Sequence, residues 1–219
     1  MNALALLGLG LLLGLRHAAD PDHVVAVTAI AARTRRVLPA TALGIVWGLG
    51  HTLTLFAVGA GIILCSWVVP PRVGLAMEFG VALALILVGL LNLRRAREAA
   101  PDLGDGAGRP LARRAFAVGL VHGLAGSAAV ALLVLATVRD PRWACGYLAV
   151  FGLGTLAGMA LITTGFAFPV ASAARRWGGA RRLVRVSTGA LSLAFGIWLA
   201  YRIGWQDGLF VAAAHWMPR

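Results

Sequence analysis

Arg16-His17-Ala18-Ala19-Asp20-Pro21-Asp22-His23 interrupts an otherwise apolar stretch, residues 2–32, and the reading of this octet decides the fold. The apolar run before it has about 14 residues and the run after it about 9, whereas a helix needs roughly 20 to cross a bilayer. Neither run spans alone, so the octet is carried to membrane depth. Ionised Asp or Arg there costs roughly 2.5–3.5 kcal/mol each, about 8–10 kcal/mol for Arg16, Asp20 and Asp22 together. Pairing, water or a bound cation must offset that cost. Arg16 and Asp20, at i and i+4, are expected to offset each other in part, which leaves Asp22 with His17 and His23. On an unbroken helix these three side chains point in different directions. Pro21 removes a backbone hydrogen bond and clashes with the preceding turn. The spacing therefore predicts a first helix broken at the motif, with its side chains converging and carbonyls freed for a cation. Such breaks are tolerated in a membrane where they line a cavity.

The rest of the chain agrees with this setting. Of 219 residues, 60% are hydrophobic and 13% charged, with mean hydropathy +0.85; a soluble domain carries about 25% charge. The chain reads as an all-α integral membrane protein with six spans, at about 2–32, 39–68, 74–93, 114–138, 144–171 and 183–204. Residues 3–15 resemble the core of a signal peptide, but no positive charge precedes them and Arg16 follows directly, so a retained span is expected. The net charge of +12 comes from Arg alone, and the arginines cluster between spans rather than along a nucleic-acid-binding face. Three lie at 33–36, six from Arg94 to Arg114 and five from Arg175 to Arg185; the opposite side has only five. The positive-inside rule then predicts a bacterial inner-membrane protein with both termini outside.

Two further segments carry no span. Residues 94–113 read as a flexible cytoplasmic linker, and 205–219, with Trp205, Phe210 and Trp216, as an interfacial tail. Cys65 and Cys145 have no metal-type spacing and are expected to be buried apolar thiols.

An internal repeat runs through the spans. Gly14-Leu15-Arg16-His17-Ala18 matches Gly119-Leu120-Val121-His122-Gly123 at an offset of 105. Trp47-Gly48-Leu49-Gly50-His51 matches Phe151-Gly152-Leu153-Gly154-Thr155 at an offset of 104. Two halves of three spans each, 1–93 and 114–204, must run in opposite directions. Inverted 3+3 repeats are a transporter architecture with a site near the midplane.

Depth collects the histidines. At about 1.5 Å per residue, His17 and His23 lie roughly 22 and 13 Å from the cytoplasmic end of their span, His51 roughly 18 Å and His122 roughly 12 Å. Imidazole with a carboxylate suits Ni(II), Co(II), Zn(II) or Cu(II), whereas Mg(II) and Ca(II) prefer all-oxygen sites. His17, Asp22, His23 and His51 are the expected metal ligands. His122 and Ser127 stand between ligand, outer support and helix packing. Asp20 is expected to partner Arg16, and Thr52 and Thr54 to support the ligands from outside.

His17-x4-Asp22-His23 resembles the HX4DH signature of the nickel/cobalt transporter family. Gly50-His51-Thr52 is similar to that family's next-helix His motif. His122-Gly123-Leu124-Ala125-Gly126-Ser127 is similar to a stretch of its short, urease-accessory-type members, whose length also fits. The resemblance implies high-affinity nickel or cobalt transport, with the signature residues essential and a metallochaperone or urease system as candidate recipient. Longer permeases of the family carry the signature on the second of eight spans; here it is on the first.

Uptake is the expected direction. A doubly charged cation gains about 4.6 kcal/mol per 100 mV of inside-negative potential, and no Walker A motif offers ATP-driven pumping. The transported Ni(II) or Co(II) is then a cargo, and no permanent cofactor is expected. Two alternatives stay open. An efflux permease of the same superfamily would need proton coupling, for which Asp20 or His122 could serve. A membrane-embedded zinc hydrolase would use three histidines on zinc, with Asp22 or Ser127 assisting a bound water, although HExxH is absent.

Overall fold

The computed structural model describes residues 3–34, 36–65, 67, 69–97, 108–124, 138, 140–177, 179–211, 214 and 216. Among these the chain is all-helical: α1 (Ala3–His17), α2 (Pro21–Ala31), α3 (Val37–Cys65), α4 (Pro71–Arg97), α5 (Gly108–Gly123), α6 (Pro141–Arg176) and α7 (Ala180–Tyr201), the last continuing as a π-turn, Arg202–Gln206. Four helices are long and apolar enough to cross a membrane, and the bent pair α1–α2 makes a fifth candidate. The expected fourth span begins in α5, and its second half lies outside the described residues. Helices α4 and α6 overrun the apolar segments read from the sequence. Backbone hydrogen bonding continues past the last apolar residue, into Arg94–Arg97 and Arg175–Arg176.

Polarity is arranged inside out. Leu12, Leu53, Leu87, Leu161 and Phe168 are exposed on the helix exteriors, as a lipid-facing surface requires, while His17, His23, His51, His122, Thr155 and Asn92 are buried. Cys65 is exposed and Cys145 half-buried, both as free thiols, so neither is the fully buried thiol expected.

The first helix is broken at the predicted place, by an unwound turn between two helices whose axes differ by 60°. Asp20 is extended (φ −61°, ψ 143°), the conformation that a following proline favours. Pro21 then starts α2 at a position where its missing N–H costs nothing. The N–H groups of Ala18, Ala19 and Asp20 bond back to the carbonyls of Gly14, Arg16 and His17. Those carbonyls are therefore occupied rather than freed for a cation.

Close approach fixes the helices that carry the site. A Cβ at Gly14 would strike the Phe151 carbonyl of α6, and one at Gly119 would strike the Trp47 carbonyl of α3. Gly154 and Gly50 meet the carbonyls of Leu11 and Phe116 in the same way. These are the positions the 105 and 104 offsets equate, so α1 packs on α6 as α5 packs on α3. Helices α4 and α7 pair with each other, with Gly89 and Gly189 at their crossing and Ser192 donating to the Leu85 carbonyl at 2.8 Å.

The inner end of α2 is tied to α4. Asn92 donates to the Ala29 carbonyl and accepts from Arg33 Nε, both at 2.7 Å. Burial, with Arg95, Arg114 and Arg185 nearby, holds the Arg33 guanidinium below its usual range. At the other end the tail folds back onto α4. Trp216 donates to Glu78 at 2.9 Å, and Phe210 packs edge-on against Phe79.

Candidate metal centre

The break assembles the site. Along a straight helix, six residues would separate His17 from His23 by about 9 Å. The axes of α1 and α2 differ by 60°, and the two ring centres lie 4.5 Å apart. Helix α3 adds His51, whose ring centre is 5.2 Å from that of His17 and 4.8 Å from that of His23. All three residues are buried, and one ligand nitrogen from each lies within 4.8 Å of the others.

Two carboxylates orient the rings. His17 Nδ1 donates to Asp20 Oδ2 at 2.9 Å, and His23 Nδ1 to Asp22 Oδ1 at 3.0 Å. An ionised carboxylate only accepts, so both rings carry the proton on Nδ1 and the lone pair on Nε2. In metal sites, a carboxylate paired with a histidine in this way fixes the tautomer and raises ligand basicity. His17 Nε2 faces His51 Nε2 at 3.2 Å, while His23 Nε2 has no hydrogen-bond partner among the described residues. Two nitrogens about 2.1 Å from one ion are 3.2 Å apart at an angle of about 100°, between the tetragonal and tetrahedral values.

Aromatic rings wall the cluster. Phe151 lies 5.3 Å from His17; Trp47 stacks on His51 at 5.9 Å and meets His23 and His122 edge-on at 5.5 and 5.2 Å. Neither aromatic residue was expected at the site. The one signal that pointed to them is the repeat, which equates Trp47 with Phe151 beside the Gly-Leu-Gly motifs.

The remaining expected residues divide. Asp20 pairs with His17 instead of Arg16, because the i,i+4 relation needs an unbroken helix and this one ends at His17. Arg16 is exposed. The Asp22 carboxylate, expected among the ligands, is on His23 Nδ1. Thr52 and Thr54 donate to the carbonyls of Gly152 and Gly50, at 3.3 and 3.2 Å. His122 is buried beside it, with ring centres 5.7 Å from His23. Ser127 lies outside the described residues.

Helices that cross a membrane several times around a buried polar interior define a multi-pass membrane protein. Residues 3–99 match the family described as high-affinity nickel-transport protein. The chain is also 33% identical over 222 residues to the urease accessory protein UreH of a Bacillus species (strain TB-90), with 96% of each chain covered. No solved structure matches. The chain belongs to the high-affinity nickel-transport family, and its function is nickel transport rather than catalysis. The hydrolase alternative therefore falls away.

If Asp20 and Asp22 set the tautomers, Asp20→Asn and Asp22→Asn should each weaken nickel binding by about 10–100-fold. Calorimetric titration of detergent-purified protein measures this. Affinities within twofold of wild type would mean the carboxylates do not act on the rings.

Proposed function

We propose that the chain imports Ni(II) across the bacterial inner membrane through a site formed by His17, His23 and His51, with Asp20 and Asp22 holding two of the rings. The observation that carries this reading is the buried convergence of three imidazoles on the broken first helix and its neighbour. The site is all nitrogen with no thiolate, a donor set that suits Ni(II) and admits Co(II) as a second cargo. A single hydrogen lies between His17 Nε2 and His51 Nε2. A cation takes its place, and the displaced proton has a buried acceptor in His51 Nδ1, which has no partner among the described residues.

The architecture we infer is two inverted three-helix repeats, 1–93 and 114–204, joined by a cytoplasmic linker at 94–113 and followed by the interfacial tail 205–219. Both termini lie outside. The exchanged contacts of Gly14 with Phe151 and of Gly119 with Trp47 support it. Such repeats carry substrate at their interface and expose it alternately to the two sides. The relative's description as a urease accessory protein points to a urease system as recipient of the metal.

An inside-negative potential supplies the driving force, enough for roughly thousandfold accumulation per 100 mV. Uptake of radioactive nickel into proteoliposomes under a valinomycin-set potassium potential tests this. Collapse of the potential should reduce accumulation to equilibration. Entry that is unchanged by the potential would contradict the mechanism.

A further inference from the structure

His122 is the buried histidine that the site described above leaves unused. Its Nδ1 lies 3.3 Å from the Val118 carbonyl one turn back, its Nε2 has no hydrogen-bond partner of good geometry among the described residues, and Asp22 lies close enough to act on the ring. Among the described residues its ring contacts are with Trp47 and His23, and His23 Nε2 is also unpartnered. A cation about 2.1 Å from a ring nitrogen sits about 3.3 Å from the ring centre. The 5.7 Å between the centres of His23 and His122 is less than twice that distance, so the spacing of the two rings allows one ion between them.

The repeat explains why an imidazole stands here. His122 is the equivalent of His17, and each is packed by the aromatic of the opposite half: Phe151 on His17 at 5.3 Å, Trp47 on His122 at 5.2 Å. At the position equivalent to His51 the second half has Thr155, whose hydroxyl donates to the Phe151 carbonyl at 3.0 Å. The second half therefore offers a similar pocket with fewer nitrogen ligands. Fewer ligands hold an ion more weakly, which suits a place from which it leaves.

We propose that His122 forms a second, weaker station for the nickel ion. It shares His23 with the first, and the ion crosses between the repeats by exchanging His17 and His51 for His122. This rests on reading His17, His23 and His51 as the first station.

The test uses full-length protein with Cys65→Ser and Cys145→Ser, in detergent for binding and in proteoliposomes for uptake. His122→Gln keeps size and polarity but cannot ligate well; His122→Cys restores a ligand of another kind. Nickel affinity of His122→Gln should stay within about threefold of the background, because the first station is intact, while uptake falls at least tenfold. His122→Cys should recover part of that uptake and show thiolate-to-nickel charge-transfer absorption when loaded. Uptake by His122→Gln at the background rate would make His122 a packing residue and overturn the proposal. Nickel binding lost in His122→Gln would put His122 in the first station and overturn it equally, as would a loaded His122→Cys without the absorption. His51→Ala, run alongside, separates the two readings: undiminished binding there would remove the first station, whatever His122 does.

Discussion

His51→Ala is expected to weaken nickel binding by more than about a hundredfold and to abolish uptake. Loss of an orienting carboxylate alone costs about 10–100-fold in metal affinity, and a lost ligand must cost more. His51 is also the one contribution of α3 to the cluster, so its removal leaves two rings of the bent first span facing an empty third position. The folded state should survive. The variant removes a ring that is stacked on Trp47 and faces His17, and the contacts of Gly119 and Gly123 at this residue are with its backbone, which the variant keeps. Titration of Ni(II) into the purified variant and into wild type measures the loss. Affinity within tenfold of wild type would take His51 out of the site.

Gly119→Ala should be nearly as damaging, by another route. The new Cβ would strike the Trp47 carbonyl and sit 3.1 Å from His51 N, so α3 must move off α5. Overpacking of this kind costs typically 1–3 kcal/mol, and the element displaced is the one that carries His51. A lower melting temperature is expected from that cost, and slower uptake because the backbone that carries His51 is displaced. Gly14→Ala, against the Phe151 carbonyl and Thr155 N, should behave alike. Gly8→Ala and Gly165→Ala are the controls: nothing lies within 4 Å of either added Cβ. Each should hold or raise stability, because alanine favours helix over glycine by about 1 kcal/mol. Thermal unfolding and uptake for the four variants check this. Equal behaviour of Gly119→Ala and Gly8→Ala would refute the packing argument.

The site was legible in the sequence wherever an energy penalty made it so. Arg16 to His23 could not be at membrane depth without a reason: the cost counted on Arg16, Asp20 and Asp22 marks the octet, and His17 and His23 stand within it. His51 and His122 were legible as single polar residues in apolar spans at a similar depth. The three-dimensional result was less legible. Depth counted along a straight helix separates His17 from His23 by about 9 Å, and only the 60° bend closes them to 4.5 Å. The same bend ends α1 at His17, so Asp20 turns back to that ring and the i,i+4 partner Arg16 is left on the surface. Trp47 and Phe151 were hidden for a different reason. An aromatic residue in an apolar span looks the same in sequence whether it faces lipid or a ligand, and both of these are buried.

The central claim is that nickel is held by imidazoles of His17, His23 and His51. Nickel K-edge X-ray absorption of the loaded, detergent-purified protein, beside His17→Ala, tests it most directly. A first shell dominated by imidazole nitrogen near 2.1 Å, with ring scattering that weakens or disappears in the variant, is the predicted result. An all-oxygen shell, or a spectrum unchanged by His17→Ala, would contradict the claim.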